Sequence, residues 1–95
     1  MKIIIIDNNA IENEEELKEG ENKYTCTNEI ELRNNVCELL DSYYECKSDY
    51  GNPVYDLVCH MNVLELCMCI EKYNYKIEFD NNGSTQISDF FMQHN

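Results

Sequence analysis

The chain has 95 residues and a mass of 11.3 kDa, with 19 acidic residues against 7 basic ones and a net charge of −12. That length argues for a single small domain with one modest core. The charge excludes a basic face for DNA or RNA phosphates and attraction to an anionic membrane surface, and it favours a basic protein partner.

The four isoleucines at 3–6 are the longest uninterrupted apolar run. Such a run is too short for a bilayer span or a signal peptide, so a cytoplasmic location is expected. In that compartment the six cysteines, Cys26, Cys37, Cys46, Cys59, Cys67 and Cys69, are expected as small apolar thiols rather than as a disulfide framework.

Residues 1–7 read as one short strand, because β-branched isoleucine favours extended backbone. Residues 11–21 come next with six glutamates, Glu12, Glu14, Glu15, Glu16, Glu19 and Glu21. This run predicts a solvated acidic helix or a flexible arm. A sharper reading makes it a docking arm for a basic partner. Residues 1–26 together read as an acidic N-terminal extension, ahead of a globular domain over 27–95.

Asn28 and Glu31 have the spacing of a capping box. Ile30, Val36, Cys37, Leu40 and Tyr44 then recur at helical intervals, predicting a helix over 29–45. Residues 47–53 contain Gly51 and Pro53 and read as a loop, and 54–58 as a short apolar loop or a turn of helix. From Asn62 the helical period returns, with Val63, Leu66, Cys67, Ile70 and Tyr73 on one face. Residues 75–79 alternate but form too short a run for a strand alone. Residues 80–84 suit a turn, because Asn81, Asn82 and Gly83 tolerate left-handed backbone. Ser84 or Thr85 then caps a final short helix with Ile87, Phe90 and Phe91. The expectation is a mostly α fold, a small three- to four-helix bundle.

The inventory for chemistry is sparse. No hydrolase nucleophile motif, phosphate-binding glycine loop or four-ligand Cys/His set is visible, so neither an enzyme nor a metal site is expected. Cys59-His60 is the most suggestive pair. A nucleophile–base couple needs a mutual hydrogen bond, and adjacent residues rarely point at each other. The ordinary reading is a surface histidine beside a half-buried cysteine. A thiol near a helix N-terminus has a lowered pKa, which makes Cys59 the candidate reactive thiol. On a helix Cys67 and Cys69 project about 200° apart, so Cys67 belongs to the core and Cys69 is partly exposed. His94 falls in a C-terminal tail.

The stretch Val63-Leu64-Glu65-Leu66-Cys67-Met68-Cys69-Ile70-Glu71-Lys72-Tyr73-Asn74-Tyr75-Lys76-Ile77-Glu78-Phe79 resembles the second helix of acyl and peptidyl carrier proteins and the turn after it. Gln86-Ile87-Ser88-Asp89-Phe90-Phe91 is similar to the start of that family's last helix. Asp56-Leu57 matches the pair before its attachment motif. The resemblance covers about 27–93 and implies a helical bundle with an acidic docking face. It also implies 4′-phosphopantetheine on the serine of a D-S-L or D-S-M motif. Here Cys59-His60-Met61 occupies that stretch, with His60 in place of the serine. Imidazole cannot form the same stable phosphodiester, so no cofactor is expected and His60 is expected to be unmodified.

Within the resemblance, Leu64, Glu65, Met68 and Glu71 mark the face that meets partner enzymes. The leading expectation is therefore a non-catalytic, acidic, carrier-protein-like module that docks on basic surfaces of a protein partner. The alternative is an acidic inhibitor or nucleic-acid mimic, of the immunity or anti-defence kind, acting through 12–21. A monomer or weak dimer is expected, because the isoleucine run could pair with another chain's edge strand.

Overall fold

The structure, a computed structural model, describes residues 1–41 and 57–80. Its elements in chain order are β1 (Lys2–Asp7), α1 (Asn8–Glu12), β2 (Lys23–Cys26), α2 (Glu29–Asp41), α3 (Val63–Glu71) and β3 (Tyr75–Asp80). A helical turn at 57–59 precedes α3.

The strands form one antiparallel sheet in the order β2-β1-β3. β1 is the central strand. Ile3 lies opposite Cys26 on one side and Phe79 on the other, and Ile5 lies opposite Tyr24 and Ile77. Side chains directly opposite in a sheet share a face. Ile3, Ile5, Tyr24, Cys26, Tyr75, Ile77 and Phe79 therefore occupy one side.

That side carries the core. Ile3, Ile5 and Cys26 cluster with Leu32, Val36 and Leu40 of α2, with Leu66, Cys67 and Ile70 of α3, and with Met1 and Val58. The α2 residues recur every fourth position and the α3 residues at the same helical spacing, so each helix presents one apolar stripe. The result is two layers, helices over one face of a three-stranded sheet.

This arrangement corrects the expected mostly α bundle. The segment 1–26, read as an extension, supplies two of the three strands. Its first strand is also the sheet's centre, with Ile3 and Ile5 fully buried. Residues 75–79, too short for a strand alone, form one because β1 offers a paired backbone along their whole length. Strand formation here is a non-local event, and a local window does not register it.

The expected helix over 29–45 is observed as far as Asp41, and its remainder with Tyr44 lies outside the described residues. Its start shows one half of the expected capping box: the Asn28 side chain accepts from the Glu31 backbone at 2.8 Å, while the Glu31 carboxylate accepts from the Thr27 backbone at 3.0 Å rather than from that of Asn28. Within it, Leu32 is buried and Ile30 is 50% exposed, which reverses the expected contribution of Ile30. The helix over 62–73 matches expectation, with Leu66, Cys67 and Ile70 buried. Its capping box is complete, with Asn62 accepting from the Glu65 backbone and Glu65 from the Asn62 backbone. The expected loop at 47–53 and the final helix with Ile87, Phe90 and Phe91 lie outside the described residues.

Because β1 is buried on its helix-facing side, Ile5→Ala should destabilise the fold by about 2–5 kcal/mol. Urea unfolding followed by circular dichroism measures this. Ile4, on the opposite face and only partly buried, should cost less when changed to Ala.

Candidate functional site

Three regions carry the residues that the sequence singled out. The first is the turn holding Cys59 and His60. Both side chains are exposed, and they lie between two anchored residues, Val58 and Met61. The Met61 backbone donates to the Val58 carbonyl at 3.1 Å. Arg33 reaches across from α2, donating to the Met61 carbonyl at 2.7 Å and to the Val58 carbonyl at 3.4 Å. The same guanidinium pairs with Glu29 at 3.2 Å, one helical turn earlier. Arg33 thus pins the chain on either side of Cys59-His60.

Arg33 had no place in the sequence reading. Its signal was modest: it is the chain's one arginine, and Glu29 stands four residues before it on a helix. The turn also alters the case for Cys59. Cys59 closes the helical turn at 57–59, and α3 begins only at Val63 behind its own cap, Asn62. Neither Cys59 nor His60 is a first-turn residue of α3, so the helix-dipole argument for a reactive Cys59 does not apply.

The buried thiols are poor nucleophiles. Burial pushes Cys26 up to about 11, with Glu31 and Glu19 adding to the rise and the Asn35 hydrogen bond opposing it. Burial also pushes Cys67 up to about 11, with help from Glu71. Cys69 is raised by partial burial, and Lys72 opposes that rise. At neutral pH these groups remain thiols rather than thiolates. Among the described residues no group of three His, Cys, Asp or Glu side chains is placed to hold a metal ion.

The second region is the outer face of α3. Leu64 is 66% exposed and Met68 56%, and one helical turn separates them. Glu71 lies on the same flank and is exposed. Glu65 is exposed as well, but its carboxylate is occupied by the cap at Asn62. The structure therefore brings Leu64, Met68 and Glu71 together and gives Glu65 a structural duty.

The third region is the acidic connection between α1 and β2. Helix α1 covers only Asn8–Glu12, capped by Asp7, whose side chain accepts from Asn9. Residues 13–22 then form an internally bonded loop rather than a helix or a loose arm. The Asn22 side chain accepts from the Lys18 backbone at 2.6 Å and donates to the Glu16 carbonyl at 3.0 Å. Glu15 donates from its backbone to the Ala10 carbonyl at 2.9 Å. Glu14 takes a positive φ of 55° and Gly20 one of 85°, which bend the chain back to the sheet.

Glu19 serves the fold, accepting from the Thr25 backbone at 2.7 Å and from its hydroxyl at 3.0 Å. The carboxylates of Glu12, Glu14, Glu15, Glu16 and Glu21 are exposed. Nearby, the Tyr24 hydroxyl donates to the Glu21 carbonyl at 2.9 Å. Its pKa is raised, first by burial and then by the negative charges of Asp7, Glu21 and Glu38.

Comparison with protein-family models, with curated proteins and with solved structures found no match. No helix among the described residues is long and apolar enough to cross a membrane.

Replacing Arg33 tests the anchor. Arg33→Ala should lower stability by about 1–2 kcal/mol, since two carbonyls and a half-buried carboxylate lose a shared charged donor. Arg33→Lys should recover less than half of that, because an ammonium lacks the planar fork. Urea midpoints that match the natural protein's would contradict this role.

Proposed function

We propose that this protein is a non-catalytic acidic binding domain that docks on a basic surface of a protein partner, as an inhibitor or nucleic-acid mimic does. The observation that carries this reading is the ordered loop at 13–22. Residues 11–21 hold six glutamates against one lysine, a local charge of −5. Hydrogen bonds fix the backbone that displays them. An ordered array of like charges loses less entropy on binding than a flexible arm, and its field steers encounter with an opposite surface.

The carrier-type alternative draws less support. Its expected bundle is replaced by a sheet with helices, and Glu65, one of its docking residues, is committed to a helix cap. The exposed pair Leu64 and Met68 remains a suitable apolar contact beside an acidic one. Cytoplasmic residence fits the proposal, since the buried Cys26 and Cys67 are unlinked thiols.

Truncation of 1–21 would remove the central strand and is not a clean test. Charge removal is. The double variant Glu15→Gln, Glu16→Gln should weaken binding to a lysine-rich peptide about fivefold at low salt. An equal charge removal at Glu71 and Glu78 should change it less than about twofold. Fluorescence anisotropy of the labelled peptide reads both. Equal losses in the two variants would show that only net charge matters and would overturn the reading.

A further inference from the structure

The acidic segment is not uniformly polar. Among its glutamates stand two aliphatic residues, Ile11 and Leu17, with 42% and 40% of their surface exposed. Single exposed aliphatic side chains are ordinary on a protein surface. Leu17 differs in how its backbone is held. The Asn22 side chain accepts from the Lys18 backbone and donates to the Glu16 carbonyl, so one amide group pins the residues on either side of Leu17. The Lys18 carbonyl in turn accepts from the backbones of Glu21, Asn22 and Lys23 at 3.1, 3.2 and 3.3 Å. Gly20 donates to the Lys23 carbonyl at 2.8 Å within the same turn. Leu17 therefore sits on a fixed stretch of chain, with Glu14, Glu15 and Glu16 before it and Glu21 after it, all exposed.

We propose that Leu17 is the apolar anchor of the acidic docking surface, and that the partner is a protein carrying an apolar pocket rimmed by lysine or arginine. The inference rests on the acidic docking surface proposed above and narrows what that surface binds. Protein interfaces gather apolar side chains at the centre and charged ones at the rim. A leucine flanked on both sides by exposed glutamates suits that arrangement. A surface that only imitates phosphates gains nothing from an exposed leucine, because the sites that read phosphates are charged and wet.

The two kinds of side chain have separate duties. The carboxylates steer encounter, and their effect fades as salt rises. The leucine adds affinity by leaving water, which salt does not screen. Its ordered backbone reduces the freedom lost on binding. A second copy of this chain is a poor fit for the surface, since it too carries a charge of −12. The isoleucine run, expected to offer such a copy an edge, is paired on both sides as β1.

Fluorescence anisotropy with two labelled peptides of equal positive charge tests the proposal. One contains lysine and serine. The other contains lysine and leucine, spaced to form an amphipathic helix. At physiological salt the natural protein should bind the leucine peptide at least about fivefold more tightly than the serine peptide. Leu17→Gln should reduce that preference to less than about twofold, and should leave affinity for the serine peptide within about twofold of the natural value. Leu17→Met keeps a flexible apolar side chain at the position and should retain the preference. Ile30→Gln removes an aliphatic residue that is 50% exposed on α2, and should change neither affinity by more than about twofold.

A natural protein with no preference for the leucine peptide would overturn the proposal. So would a Leu17→Gln variant that keeps the preference, or an Ile30→Gln variant that loses it equally. These results leave the acidic reading standing if Glu15→Gln, Glu16→Gln still weakens binding to the serine peptide. If that double variant binds the serine peptide as the natural protein does, the acidic reading fails, and the proposal falls with it.

Discussion

The fold depends on one arrangement, an isoleucine strand at the amino end hydrogen-bonded along both sides. β1 gives its backbone to β2 and β3 and its helix-facing side chains, Ile3 and Ile5, to the core. Without it β2 and β3 share no ladder, and the stripes of α2 and α3 have no sheet to cover. Asp7 ends the strand and starts α1. Its backbone donates to the Asn22 carbonyl and its carboxylate caps the helix. The neighbouring Asn8 backbone donates to the Asn74 carbonyl, and the Asn74 side chain donates to Asn9. The α3–β3 connection, where Asn74 takes a φ of 69°, a conformation that asparagine tolerates, is thereby tied to the same corner.

The same architecture distributes charge. The acidic run folds back over the β2 edge, where one carboxylate, that of Glu19, replaces a missing strand partner for Thr25. The remaining carboxylates face solvent. Protecting an edge and presenting a negative surface are thus one device. The β3 edge carries instead a balanced Lys76–Glu78 pair and an exposed aromatic. The two sides of the sheet therefore differ in charge, strongly acidic beside β2 and balanced along β3.

The sequence made the helical parts legible because their signals are local. The apolar period of α3 and the Asn28–Glu31 cap each lie within a few residues and are present in the structure. The sheet was less legible. Residues 1–7 read as a strand, but nothing within a short window shows that 23–26 and 75–80 are its partners. The glutamates at 11–21 suggested solvation, and the side chains are exposed. The backbone order beneath them comes from Asn22, Gly20 and the turn at Glu14, which sequence reasoning passed over. The carrier-like pattern misled for a related reason, since an amphipathic helix with an aromatic after it is shared by helical bundles and by helices laid on a sheet. Of the candidate site residues, Leu64, Met68 and Glu71 are exposed on one flank of α3. The cap held by Glu65 derives from Asn62 three residues before it, a spacing that was readable and went unread.

The central claim is that residues 1–7 are the middle of the fold rather than an appendage. Amide hydrogen exchange of the intact chain tests it most directly. The account predicts that the β1 amides engaged in the two ladders exchange as slowly as those of Leu66 and Ile70 in α3, at the rate set by global unfolding. Exchange of the β1 amides within the time of a flexible terminus, while the α3 amides stay protected, would contradict it.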